Sequence, residues 1–161
     1  MLKITELHED MANALYVISQ DDDTRRFIPD EVFESVDIAR VAIAKLKSFY
    51  NRNDAPQVYA VILEDKTLIG YVQAVPIDND WEIGYKTAKD YTGRGYATQA
   101  VKSFLPWIME RLCLTRIYGI ILSENTASGR VLEKCGFTLE YQGPAMYQGT
   151  KRGIRKYRLD I

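Results

Sequence analysis

Apolar residues recur at three- and four-residue spacing in two early stretches of the chain, and past residues 51–56 the period falls to two. The first behaviour predicts helices over residues 9–19 and 35–50. In the second of these, Ala39, Ala42, Ile43, Leu46, Phe49 and Tyr50 share one face, and Ser35 stands where an N-cap belongs. Alternation and short apolar runs then predict strands over 58–63, 68–75 and 81–85, with Glu64-Asp65 and Asp78-Asn79-Asp80 as turns. A helical period returns over 95–111, where Val101, Phe104, Leu105, Ile108 and Leu112 form a stripe, and the β-branched run 117–122 comes next. A strand, a helix and a strand in that order require parallel pairing of the two strands. A short helix over 126–135 and strands over 137–147 and 154–159 complete a mixed α/β pattern.

The chain has 161 residues, 47% of them hydrophobic and 27% charged, the make-up of one globular domain spanning 1–161. No repeat or flexible linker divides it. A net charge of −1 gives no general attraction to nucleic acid or to a membrane surface. No apolar run approaches the roughly 20 residues that span a bilayer, and no signal region opens the chain, so it reads as cytoplasmic. Two cysteines, Cys113 and Cys135, and the single histidine His8 offer no zinc spacing, so no metal is expected.

Candidate chemistry begins at Tyr91-Thr92-Gly93-Arg94-Gly95-Tyr96-Ala97-Thr98, small residues at the entry to the long helix. Free amides at a helix N-terminus, with the positive end of the helix dipole, bind phosphate, and glycines let it come close. Arg94 adds a charged fork. The Walker pattern and the dinucleotide fingerprint are both absent. By itself the loop fits equally an ordinary strand-to-helix turn.

Taken together with a second motif about thirty residues downstream, the loop resembles the pyrophosphate motif of the GNAT acetyltransferases, Q/R-x-x-G-x-G/A, with Gly95 and Ala97 in its last two defined places. Asn125-Thr126-Ala127-Ser128 and then Lys134-Cys135-Gly136-Phe137 resemble the family's second signature, N-x-x-S ahead of K-x-G-F. The resemblance covers essentially the whole chain and is strongest to the RimJ/RimL-like branch of ribosomal-protein N-terminal acetyltransferases. It implies a mostly antiparallel twisted sheet of about seven strands flanked by about four helices. It also implies acetyl-CoA as cosubstrate: the pantetheine arm on the backbone of Tyr85, Lys86 and Thr87, the pyrophosphate on residues 93–98, and Asn125 near the pantetheine end. Thr92 departs from the family's Gln or Arg. The resemblance leaves room for a homodimer.

Acetyl transfer to an amine requires the neutral amine, which at pH 7 costs about 4.6 kcal/mol for a lysine-like group and about 1 for a peptide α-amine. Glu82 resembles the family's general base; its other reading is a solvated strand residue. Ser128 resembles a serine that hydrogen-bonds the sulfur; its other reading is a polar residue of a first helical turn. The tyrosine that protonates the thiolate in several branches stands seven residues after the signature Asn, and here that position is Leu132. A thiol is a good leaving group near neutral pH and needs little help.

The acceptor implied is a protein N-terminus or a small cationic amine, with a non-catalytic acyl-CoA-binding module as the reading from another class. Residues 20–37 carry Asp21, Asp22, Asp23, Asp30, Glu31, Glu34 and Asp37 against Arg25 and Arg26, a local charge of −5. A solvated linker has such a run, and so does a surface that gathers cations.

Overall fold

In the computed structural model, which describes residues 1–161, all seven strands join one sheet in the order β1-β2-β3-β4-β5-β7-β6. The strands are β1 (Leu2–Glu6), β2 (Gln57–Leu63), β3 (Leu68–Ile77), β4 (Asp80–Thr87), β5 (Arg116–Leu122), β6 (Thr138–Tyr147) and β7 (Thr150–Asp160). Only β4 and β5 run parallel, as the crossover between them requires. The helices are α1 (Ala12–Ile18), α2 (Asp22–Phe27), α3 (Val36–Lys47), α4 (Tyr96–Arg111) and α5 (Thr126–Lys134).

Alternation along the central strands feeds two cores. On β2, Val58 and Ala60 face α1 and α3, where they pack with Leu15, Ala39 and Ile43. Tyr59 and Val61 point the other way, into a larger core with Phe104, Leu105 and Ile108 of α4. Leu132 of α5 joins that core from the end nearer β5. Because β2 is covered on both faces it reads as a continuous apolar run rather than a strict alternation.

The fold departs from the pattern-based expectation in three places. Strand β1 has no counterpart in the pattern; its five residues are too few to establish a period, and it is fixed by pairing Leu2–Glu6 antiparallel to β2. The first helix starts later, because residues Glu9–Met11 form a 3-10 turn ahead of α1. Helix α2, absent from the expected four, forms inside the acidic segment without any apolar stripe. Its cap explains it: the Asp21 carboxylate accepts the Thr24 amide at 2.7 Å, and Asp22 and Asp23 sit at the positive end of the helix. No helix is long and apolar enough to cross a membrane.

Candidate active site

Glu82↔Tyr118 is the one registered pair between β4 and β5. Beyond it the strands part, and the β5-facing edge of residues 84–87 lies open. Two cavities occupy the gap, one of about 370 Å³ and one of about 240 Å³. They meet at Phe27, Ile28, Tyr85, Asn125 and Ser128, which line both.

The larger cavity runs from β4 to the start of α4. Tyr85, Lys86, Thr87, Gly93, Gly95, Tyr96, Ala97, Thr98 and Asn125 all line it. Gly93 and Gly95 have φ of +76° and +82°, in the left-handed region, and nothing lies within 4 Å of where a Cβ would stand on either. That pairing of a backbone only glycine adopts cheaply with open space in front of it suits a close-approaching phosphate. Gly95 caps α4 without a side-chain hydrogen bond, so the first-turn amides stay available as donors. Arg94 does not line the cavity; it is exposed, with its guanidinium 5.5 Å from the centre of the Tyr91 ring. The Thr92 hydroxyl turns back to the Lys89 carbonyl at 2.8 Å.

Lys86 brings no free charge to the cavity. Its ammonium is spent on Asp21, at 2.8 Å, with the two side chains only 11% and 14% exposed. Burial works to raise the Asp21 carboxyl, but hydrogen bonds from Lys86 and Thr24 outweigh it and hold it low. Asp21 is therefore a structural acid, unlike the free charge the acidic run suggested.

At the junction, the Asn125 side chain caps α5 by accepting the Ser128 amide at 3.4 Å. Tyr85 donates its hydroxyl to the Ser128 carbonyl at 2.9 Å, tying β4 to the first turn of α5. These bonds fix the Ser128 backbone where the cavities meet and leave its hydroxyl without a partner in the protein. Leu132 is fully buried against Gly119, so the position of the family's tyrosine is core in this chain.

The smaller cavity is lined by Asp30, Glu31 and Glu82, with Gln73, Tyr147 and Gln148, and by no lysine, arginine or histidine. Burial, and then the charge of Glu31, push the Glu82 carboxyl up to about 8, against a hydrogen bond from the Ile120 amide. Burial likewise pushes Glu31 up to about 7, opposed by the hydroxyl of Tyr71. Tyr147 donates to the Ile120 carbonyl at 3.1 Å, and Gln148 to the Phe27 carbonyl at 2.9 Å, so β6 and its turn close the cavity on one side. A carboxylate held near neutral titration beside a polar cavity can take a proton from an amine. Asp30, Glu31, Tyr147 and Gln148 do not stand out as site residues in the sequence; their one signal is the acidic run that contains the first two.

Residues 2–138 match the model of the acetyltransferase (GNAT) domain. The chain is 30% identical over 132 residues to the N-acetyltransferase YnaD of Bacillus subtilis (strain 168), covering 79% of this chain and 73% of that one. Among solved structures it resembles RimL, a ribosomal L7/L12 alpha-N-protein acetyltransferase in complex with coenzyme A, at 20% identity and a TM-score of 0.84, over 99% of this chain and 94% of that one. It also resembles a chimera of the spermidine N-acetyltransferase SpeG from Vibrio cholerae, at 20% identity and a TM-score of 0.78, over 99% and 95%. At those identities the two structures speak for the fold.

Proposed function

The chain belongs to the GNAT acetyltransferase family and is an acetyl-CoA-dependent N-acetyltransferase; from that premise we propose that its acceptor is a cationic primary amine, deprotonated by Glu82. The observation that carries this reading is the asymmetry of the smaller cavity, three carboxylates and no basic side chain. Such a wall gathers cations and repels carboxylate-bearing amines. The reading takes residues 1–161 as one cytoplasmic catalytic domain.

Bound in the larger cavity, acetyl-CoA supplies the acetyl thioester. The amides of residues 93–98 would hold its phosphates, and the backbone of residues 85–87, with Asn125, would hold its pantetheine arm. The amine approaches from the smaller cavity and gives a proton to the Glu82 carboxylate. Its nitrogen then forms the bond to the acetyl carbon as the carbon–sulfur bond breaks, and the second proton that this nitrogen must lose goes to the departing thiolate, which leaves as the thiol. The reading assigns the Ser128 hydroxyl, which has no partner in the protein, as the hydrogen-bond donor to the leaving sulfur. A base near pKa 8 suits this proton transfer, because it is partly ionised at neutral pH and the positive charge of the arriving ammonium favours its ionised form.

The related structures divide on acceptor, one a ribosomal-protein N-terminus acetyltransferase and one a spermidine acetyltransferase. Both fit a cationic amine. The test is kcat/KM for a diamine, a basic N-terminal peptide, a neutral monoamine and an amino acid, at low and high salt, in the parent and in Asp30→Asn/Glu31→Gln. Preference for the cationic amines, weakened by salt and by the double substitution, supports the reading. Equal turnover of neutral and cationic amines in both proteins overturns it.

A further inference from the structure

The hydrogen bonds at the ends of β5 show which of its backbone groups look into the gap beside β4. The Ser123 amide donates to the Gly153 carbonyl at 3.0 Å, and the Ile161 amide donates to the Thr115 carbonyl at 2.9 Å. By alternation, the odd-numbered residues of β5 bond to β7, and Tyr118, Ile120 and Leu122 turn their N–H and C=O toward β4. Just past β4, the Ala88 amide donates to the Ile69 carbonyl at 2.7 Å. Even-numbered residues of β4 therefore bond to β3, and the backbone of Ile83, Tyr85 and Thr87 faces β5.

No pair is registered after Glu82↔Tyr118. Were the parallel pairing to run one step further, the Tyr85 amide would donate to the Ile120 carbonyl. That carbonyl instead accepts the Tyr147 hydroxyl at 3.1 Å. The next one along the gap, on Leu122, accepts the Asn125 amide at 2.9 Å. The β5 wall thus has these acceptors occupied from outside the strand pair, while the β4 wall presents the amides of Tyr85 and Thr87.

Tyr147 is suited to hold that carbonyl. It ends β6 opposite Thr150, and the two residues between them, Gln148 and Gly149, have φ of +53° and +80°, the left-handed pair of a tight hairpin that fixes the strand end. Burial, and then the charge of Glu82, hold its phenol well above the ordinary range, so it stays a donor at every working pH.

Attack by an amine places negative charge on the acetyl oxygen, and a fixed N–H facing that oxygen stabilises it. An amide can do so only while no carbonyl of the opposite strand holds it. Resting on the acetyl-CoA reading above, we infer that Tyr147 is a positioning residue for the transfer: its hydroxyl occupies the Ile120 carbonyl, keeps β4 and β5 from closing by one more bond, and so leaves the Tyr85 amide to the thioester.

Tyr147→Phe keeps the ring and removes the donor. The Ile120 carbonyl then lacks its partner, and the Tyr85 amide is the donor that faces it. Hydrogen exchange of the Tyr85 amide in the ligand-free full chain reads this without turnover. It is expected to slow by roughly five- to tenfold in the variant, the factor of one ordinary hydrogen bond. The kcat should fall about tenfold or more, with KM for the acceptor close to parental, because the amide lost to Ile120 is one that the transition state uses. Replacement of Tyr147 by 4-aminophenylalanine restores a donor and should return both the exchange rate and kcat toward the parent's. A Tyr85 amide that exchanges at the parent's rate in Tyr147→Phe overturns the inference. So does a loss confined to KM for the acceptor, which would make Tyr147 a contact of the smaller cavity alone. Calorimetric titration of the parent with coenzyme A keeps the two readings apart: a parent that does not bind it overturns the acetyl-CoA reading, whereas binding with an unmoved Tyr85 amide overturns only the role of Tyr147.

Discussion

The hydroxyl of Tyr71 on β3 donates to a carboxylate oxygen of Glu31 at 2.5 Å, joining the sheet to the 3-10 turn Pro29–Glu31 that follows α2. Tyr71 is buried, so this bond holds the Glu31 carboxyl in place, and it opposes the burial that raises that carboxyl. Each partner is costly to leave alone in that environment.

Tyr71→Phe removes the only side-chain donor that opposes the upward shift of Glu31. We expect Glu31 to titrate higher and to be largely neutral at pH 7, with a stability loss of about 1 to 3 kcal/mol. A diamine acceptor should then show a raised KM, while a monoamine's KM and the affinity for acetyl-CoA stay close to parental. Steady-state kinetics with the two acceptors decide it. An equal rise in both KM values would mean that the bond serves only the packing of β3.

Glu82 carries a linkage consequence with a definite sign. Its carboxyl lies at about 8 in the fold against 4.5 for the free group, and Glu31 lies at about 7. A raised carboxyl favours the fold while protonated, so its contribution is complete below pH 4.5 and is lost as pH rises through about 8. The ligand-free protein should therefore melt at progressively lower temperature between pH 5 and pH 9. Glu82→Gln stays neutral throughout, so its advantage over the parent should grow across that range, to the order of 2 to 4 kcal/mol. At pH 7 the same variant should lose about 10²- to 10⁴-fold in kcat, the usual scale of a general base. A stability gain that does not vary with pH would remove the buried charge from the account.

The glycine loop and the β4–α4–β5 crossover were legible because their signals are local: two glycines at a helix entry, and a change of period on either side. Glu82 is picked out by resemblance alone, and its environment is not legible at all, since the burial that raises it, and then the charge of Glu31, come from elements far away in sequence. Glu31 arrives by way of α2 and the turn after it, which have no apolar period and looked like a linker. Asp21 carries the same −1 as its neighbours in the sequence, yet it is the cap of α2 and the buried partner of Lys86. Arg130 of α5, which lines the larger cavity, does not stand out, for the opposite reason. A basic residue on a short helix is ordinary until the other wall of its cavity is known.

Leu132 occupies the place where several branches of the family carry a tyrosine acid, and replacing it tests whether the role can be restored. Leu132 is fully buried, and a Cβ built on Gly119 would stand 2.7 Å from its side chain. No spare volume is left for a phenol. Leu132→Tyr is expected to destabilise the protein by about 1 to 3 kcal/mol through overpacking and to leave kcat unimproved. Denaturant unfolding beside steady-state turnover checks both parts; a stable variant with raised kcat would show that the site can open to admit the ring.

Asp21 and Lys86 lock α2 onto β4. The helix they hold ends at Phe27 and is followed by Ile28, two of the five residues shared by both cavities, so the pair fixes part of the wall between the two. Exposed pairs elsewhere on this protein, such as Arg40 with Asp37, contribute little. This one is nearly sealed from water, and removing a single partner leaves the other charge buried. Asp21→Ala strands the ammonium of Lys86 and removes the α2 cap as well, so its cost should reach about 3 to 5 kcal/mol. Lys86→Met should cost less, because Asp21 keeps its two hydrogen bonds from Thr24. The double variant should be less destabilised than the sum of the singles, since neither charge is then left alone. Chemical denaturation of the four proteins gives the coupling directly, and KM for acetyl-CoA and for the acceptor should rise together in Asp21→Ala as the shared wall loosens. Additive losses, with both KM values unchanged, would reduce the pair to an ordinary surface contact and free α2 from any part in shaping the site.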